Sequence, residues 1–548
     1  MRQLISNAFI VTGDLDREPF LGDVFLERET VTHLGRIPVS QKRSADVRID
    51  AGGKVLAPGF VDTHNHGALG GTRTGPAGLP LACELALRAG VTKRICGVDG
   101  LSPAPVAADQ RADYADQLKP LDGAIDEPWC WSRVAEFLQW YRGRAVTDMG
   151  LYLGHGAVRR YVMGNRPGPA DAEALRQMRA LVRAEAPETL GLSTGLVYNP
   201  AVYSDQHEIE ALLSAFAEVQ PAKFFPHLRS ESDGILESLS ECLNACIRTG
   251  AGYCNEHSKI AGKKNYQKMA ALEARLADGA ASVESMANMY PYTAGSTTGD
   301  ALFPPEFRSS SRAQFLGLLQ DRTVRTRIYE KIKSDTHSWD NFIGFCGGLE
   351  GIRIAGAPYT PGFLGQTLAQ VARAAGAEDP ASAAAFEAVF DFFAANRLEV
   401  SIISHYGSEL IMERFFRRPD MAVCTDGLMP GPGQKPHPRC LGAFPKALRL
   451  AREMGIPPRQ IMWRLSVLPC RFLGLESPVI RPGADASLVL FDWDRVTECN
   501  DYQHPLTPPQ GIHKVWVHGR LAMDEGRFPV ARPYPGRILQ RVSRPREA

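Results

Sequence analysis

Two histidines separated by one residue, His64 and His66 in GFVDTHNHG, carry the strongest local chemical signal in the chain. Side chains two apart on a strand point to the same face, so both imidazoles can reach one metal from a strand end. The apolar run KVLAPGFVD leads straight into them. Farther along, FFPHLRSES sets His227 after a second apolar run, and GYCNEHSKIAG sets His257 thirty residues later, with an amphipathic segment between. MAVCTDG then puts Asp426 at the end of another strand-like run, ahead of a Gly-rich turn. Taken singly, each is as readily a packed histidine, a solvated strand end or a turn aspartate. Taken together, four His and one Asp at strand ends form a nitrogen and oxygen donor set that suits zinc. Glu256 faces away from its neighbour His257 on a strand and is not counted as a ligand. His155 in LGHGAVR also follows an apolar run and is a candidate for a partner behind the ligands or for the pocket wall. Cys242 and Cys246 read as core.

The elements that must position these residues fall into two patterns. The first fifty-odd residues alternate short apolar runs with Gly and Asp turns, and ASLVLFDWD and IHKVWVHGRLAMDEGRF near the far end do the same. Both ends read as strands and are expected to meet in one small β-unit, 1–57 with 475–548. Between them, over 58–474, short apolar strands alternate with helical patterns such as ILESLSECLNACIRTG, in which Ile235, Leu236, Leu239, Cys242, Leu243 and Cys246 share one face. Strand and helix alternation on this scale predicts a parallel α/β architecture, with a (β/α)8 barrel as its leading member. Residues 299–400 break the rhythm, look helical, and are read as an insertion able to cover a site.

Composition narrows the partners. The 548 residues are 44% apolar and 22% charged with a formal net charge of +1, which leaves no clustered positive charge for nucleic acid or an anionic membrane. The opening MRQLISNAFIVTGDLD lacks a long apolar core and a small-residue cleavage site, and no window is apolar enough to span a bilayer. A cytoplasmic location is expected. Eleven Cys without CxxC pairs argue against a disulfide framework. An oligomer is compatible with all of this.

Longer stretches carry a resemblance. WCWSRVAEFLQWY, LGHGAVRRYVMG, LGLSTGLVYNPAVYS, HLRSES, HSKIAG, YPYTAGST, TDG followed by PHPR, and RPGADASLVLFD with VHGR run in order over most of the chain. The sequence resembles the amidohydrolase superfamily and, within it, the N-acyl-D-amino-acid deacylases or D-aminoacylases. The resemblance implies a (β/α)8 barrel with a small β-sandwich from both chain ends and an inserted lid. It implies that His227 and His257 hold one tightly bound Zn2+, while His64, His66 and Asp426 line a second, weaker metal position. In that family a Cys in a GVTTVVxGNCG-like stretch adds a ligand. Here the stretch is GVTKRICGVDG, and counting from Gly90 the ligand position holds Asp99, with Cys96 three residues earlier. A carboxylate is acceptable to zinc and its two oxygens can bridge two metals, so Asp99 is the expected ligand, with Cys96 or neither as alternatives.

The chemistry that follows is amide hydrolysis. Zinc lowers the pKa of water and stabilises the developing oxyanion. Asp426 is the natural base, taking a proton from the water and returning it to the departing amine. A substrate with a free carboxylate should meet a cation, first Arg439 in KPHPRCLG, then Lys259. Tyr290 and Ser296 in MYPYTAGST resemble further substrate-contact positions. The expected substrate is a small molecule, an N-acyl-D-amino acid or a dipeptide with a C-terminal D-residue. A cyclic amide, ester or lactone hydrolase on the same site is the alternative, and a non-catalytic binding protein on this fold is a third reading.

Overall fold

The computed structural model describes residues 1–308, 311–335 and 337–542 and is a mixed α/β protein. The two chain ends share one sheet. Arg2–Ile10, Phe20–Glu27 and Thr30–Gly35 run antiparallel in sequence, and Val55–Pro58 lies beside the first of them. Val55–Pro58 pairs antiparallel with Leu488–Phe491, which continues to Ile512–Val517 and Arg520–Asp524. The alternation of the sequence is what packs this sheet. Ile5, Ile10, Val24 and Leu26 meet Leu488, Leu490 and Trp516 in one apolar cluster. Trp516 Nε1 donates to Gln3 Oε1 at 3.0 Å, and Gln3 Nε2 donates to the Gly519 carbonyl at 2.6 Å, tying the first strand to the last hairpin.

Parallel strands fill the middle of the chain. Leu153–Gly154, Leu192–Gly195, Lys223–His227, Gly252–Asn255, Ser285–Met289 and Met421–Val423 form one parallel sheet in that order. Phe60–Asp62, Val91–Cys96 and Asp148–Leu151 form another. Nearly every residue in these strands is buried, as expected when both faces of a parallel sheet are covered. The helix Ile235–Thr249 shows why. It buries Ile235, Leu239, Cys242, Leu243 and Cys246 along one face and stops at Gly250, whose φ of 70° supplies the left-handed turn that returns the chain to the next strand. Where Met421–Val423 ends, Thr425 N donates to Asp62 Oδ1 at 2.9 Å, and Gly427–Leu428 pairs in parallel with Asn65–His66.

The interrupting segment differs from its helical expectation. Helices at Arg312–Leu318, Arg322–Ser334, Leu368–Ala374 and Ala383–Ala395 are present, but Ile352–Gly356 is a strand. It pairs antiparallel with Ser401–His405, which pairs in turn with Ala294–Thr298. The partner strands lie about fifty and a hundred residues apart, so no local pattern announces them.

Candidate metal centre and active site

Each chemical side chain sits where a parallel strand ends. His227 closes Lys223–His227, His64 and His66 follow Phe60–Asp62, His257 follows Gly252–Asn255, and Asp99 and Asp426 follow Val91–Cys96 and Met421–Val423. Asp99, His257 and Asp426 all take positive φ, at 54°, 31° and 46°. Left-handed backbone is costly for residues other than glycine and persists where the surroundings impose it. Gly97 and Gly100 flank Asp99, also at positive φ, so the loop GVDG bends sharply enough to turn the carboxylate inward. The loop is held from behind: Gly100 N donates to Ser193 Oγ, and the Gly100 carbonyl accepts from Ala157 N.

The six side chains are buried and face one another. Asp99 Oδ1 lies 3.5 Å from His64 Nε2, 3.6 Å from His227 Nδ1 and 3.4 Å from His257 Nε2, while Asp99 Oδ2 lies 3.6 Å from His66 Nε2. Asp426 Oδ1 stands 3.7 Å from His64 Nε2 and 3.5 Å from His66 Nε2. These separations sit at or beyond the long limit of a hydrogen bond. They match the edge of a zinc tetrahedron, roughly 3.4 Å for bonds of 2.0–2.1 Å. The triads His64–His66–Asp99, His64–His257–Asp426 and Asp99–His227–His257 each bring one donor atom per residue within 4.8 Å of the others. His64 Nε2 and both ring nitrogens of His227 are buried with no hydrogen-bond partner, an expense that a metal ion removes. The donor set fits zinc.

Behind the rings stand carboxylates to which the sequence reading gave no role. Glu256 is hydrogen-bonded to His64 Nδ1, and Asp122 Oδ1 lies 3.6 Å from His66 Nδ1. Glu231 lies 3.0 Å from His257 Nδ1 and 3.5 Å from His227 Nε2. The Glu256 hydrogen bond fixes the His64 tautomer so that its other nitrogen points at Asp99. Asn288 joins two of these groups, donating through Nδ2 to Glu256 and accepting at Oδ1 from His257 N. The signals were local: Glu231 lies four residues after His227, and Glu256 faces away from His257 because it reaches back to His64.

Charge is balanced tightly. Burial works against a charged His64, yet Asp99 and Glu256 outweigh it and push the ring up to about 10. Burial likewise opposes ionised Asp99, but His64, His227 and His257 hold it well below the carboxylate range. The same negative charge that favours a proton on His64 would favour a bound cation in its place. Asp426 is held ionised against burial first by Arg439, whose Nη2 lies 2.9 Å from Asp426 Oδ1.

Beside the cluster lies a cleft with Asp99, His227 and Asp426 among its lining residues. Residues 48–223 match the model of the Amidohydrolase family. An N-acyl-D-glutamate deacylase of Alcaligenes xylosoxydans xylosoxydans is 28% identical over 95% of this chain and 92% of its own, and a D-aminoacylase of the same organism is 27% identical over 91% and 90%. The chain thus resembles the amidohydrolases, and within them the D-aminoacylases and N-acyl-D-amino-acid deacylases, over most of its length. The fold agrees with the crystal structure of N-acyl-D-glutamate deacylase from Bordetella bronchiseptica complexed with zinc and a phosphonate inhibitor. That likeness has a TM-score of 0.78 at 24% identity and covers 98% of this chain and 99% of the other.

The remaining sequence candidates occupy distinct places. Arg439, Lys259, Tyr290 and Ser296 all line the cleft. Arg439 is fully buried, lies against the Tyr290 ring at 4.2 Å, and keeps Nε and Nη1 without partners. Lys259 Nζ donates to Glu231 at 2.6 Å and lies 2.7 Å from His257 Nδ1. Tyr290 shares a 2.8 Å hydrogen bond with the Tyr406 hydroxyl. Ser296 Oγ donates to the Ile402 carbonyl at 2.7 Å, so its hydroxyl is spent on the neighbouring strand. His155 is engaged elsewhere, with Nδ1 on Thr194 at 2.8 Å and Nε2 on Glu208 at 2.7 Å. Cys96 is in none of the metal triads among the described residues, and burial pushes its thiol up to about 12.

Proposed function

We propose that this protein is a zinc-dependent deacylase that hydrolyses the amide bond of an N-acyl-D-amino acid, or of a dipeptide ending in a D-residue. The observation that carries the reading is Asp99, shared between triads at zinc spacing and lining a cleft that also holds a part-free arginine. His227, His257 and Asp99 would hold one ion, and His64, His66, Asp99 and Asp426 a second. Zinc bound there supplies Lewis acidity, sharpening water as a nucleophile and drawing charge from the carbonyl oxygen. Asp426, held ionised by Arg439, accepts a proton from the attacking water. The water oxygen bonds to the acyl carbon, the C–N bond breaks, and the proton passes from Asp426 to the departing nitrogen. A carboxylate and a free amino acid result. Arg439, which keeps nitrogens without a partner, would meet the substrate carboxylate, and Lys259 keeps Glu231 ionised behind His227 and His257.

The two parallel sheets are, in this reading, arcs of one (β/α)8 barrel over 58–474. The Gly427–Leu428 pairing with Asn65–His66 supports closure. The shared sheet of 1–57 and 475–548 is its small β-domain, and 299–400 is its lid. No described helix is long and apolar enough to cross a membrane. The test is metal analysis of the purified protein together with hydrolysis of N-acetyl-D- and N-acetyl-L-amino acids. Bound zinc and turnover of D-substrates are expected. Absence of zinc, with no turnover after zinc is supplied, would overturn the proposal.

A further inference from the structure

Asn65, the residue between the two histidines of the first ligand loop, is held from a side that faces away from the metal cluster. Arg94 lies on the strand Val91–Cys96, across from Asp62 in register, and is fully buried. It makes no ion pair among the described residues. Its guanidinium is spent on neutral acceptors instead. Nε donates to Thr147 Oγ1 at 3.0 Å and Nη2 to the Tyr141 hydroxyl at 2.7 Å, while Nη1 donates to Asn65 Oδ1 at 3.3 Å and to the Gly67 carbonyl at 3.4 Å. A buried cation without a carboxylate is costly, and hydrogen bonds to its donors are what offset that cost. Two of those acceptors, Asn65 and Gly67, flank His66.

The other end of Asn65 continues the chain of contacts. Its Nδ2 donates to Asp62 Oδ2 at 2.9 Å and to Thr425 Oγ1 at 3.2 Å. Thr425 in turn gives Asp62 its hydroxyl at 2.5 Å and its N–H at 2.9 Å. Asp426 comes next, and its own N–H donates to the His64 carbonyl at 2.9 Å. Arg94, Asn65, Asp62 and Thr425 thus form one buried network that joins the loop of His64 and His66 to the loop of Asp426. The fit is close: a Cβ on Gly67 would meet Asn65 Oδ1 at 2.5 Å and Arg94 Nη1 at 2.8 Å. His227 and His257 are held by other groups, with Glu231 beside both rings and Asn288 accepting from His257 N.

We propose that Arg94 is a positioning residue for the second metal position: through Asn65 it holds His66 against Asp426. Its loss weakens the ion at His64, His66 and Asp426 and spares the one at His227 and His257. The inference rests on the zinc reading of the cluster. The test is chelator competition for zinc, resolving both ions, on wild type, Arg94→Met, Asn65→Ser and the double variant. Tyr141→Phe is the control, because it removes a bond to Arg94 on the side away from the ligands. Arg94→Met and Asn65→Ser should each lose about 10- to 100-fold in affinity for the weaker ion and leave the tighter one unchanged. The double variant should be no weaker than the single ones, since both act through one contact. The visible spectrum of the cobalt-loaded protein should lose the contribution of the second ion alone. Asn65→Ser keeps the test decisive where Arg94→Met does not fold. Wild-type affinity in Asn65→Ser, equal loss at both ions, additive losses in the double variant, or as large a loss in Tyr141→Phe overturns this proposal while leaving the deacylase intact. A wild type that holds a single ion does the same. No zinc in the wild type, even after zinc is supplied, overturns both.

Discussion

The metal cluster and the junction around His518 use the same groups in opposite ways. His518 stands between Asp485 and Asp148, with Nδ1 at 2.5 Å from one and Nε2 at 2.8 Å from the other, and Lys93 closes on Asp148 at 3.1 Å. Both ring nitrogens are satisfied, and the network ties the hairpin of the shared sheet to the parallel strands. In the cluster, rings and carboxylates stand 3.4–3.7 Å apart and nitrogens are left without partners. Half an ångström to an ångström separates an interaction that is complete from one shaped for an ion. Residue type does not reveal the difference. Distance and unmet valence do.

The contrast breaks first at Asp99. Asp99→Ala should abolish stoichiometric metal binding and lower kcat/KM by roughly a thousandfold or more, whereas Cys96→Ala should keep its metal. Metal content after dialysis decides this, and an Asp99→Ala protein that retains its full metal would end the ligand assignment.

At the junction the effect should be on stability. Carboxylates on both sides raise His518 from 6.5 to about 9 against the cost of burial. A raised histidine stabilises the fold fully below its unfolded pKa, and that stabilisation disappears as pH climbs through the folded value. Wild-type stability should therefore fall by about 3 kcal/mol between pH 6.5 and 9, at 1.36 kcal/mol per unit. Denaturant midpoints measured across that window should slope in wild type and flatten in His518→Gln. Equal slopes would show that the junction does not titrate as its geometry implies.

Glu256→Gln tests the layer behind the ligands and should have the smallest effect. It leaves His64 in place but weakens what fixes its tautomer, so metal affinity in a chelator competition should drop about 10- to 100-fold. An unchanged affinity would reduce Glu256 to a packing residue.

The clustered histidines and Asp426 were legible because each follows an apolar strand, which is a local pattern. Asp99 needed a counted register, and the reading that chose it over Cys96 leads to the residue that the fold turns inward. Asp122 and the role of Glu256 stayed hidden because their partners lie on other strands, with Glu256 meeting His64 across 192 positions, whereas Glu231 follows its partner His227 by four residues. His155 showed the converse. It has the same local context as a ligand, yet Thr194 and Glu208 absorb both nitrogens. The strand Ile352–Gly356 was missed for a related reason, since its pairing depends on Ser401–His405 and not on its own sequence.

The sheet built from both chain ends has a consequence for synthesis. Val55–Pro58 must wait for Leu488–Phe491, made roughly 430 residues later, before its open edge is paired. At about 5–20 residues per second that is tens of seconds on the ribosome with an unprotected strand edge. The nascent chain can form its central strands and helices during that interval, but its first strands are completed almost last.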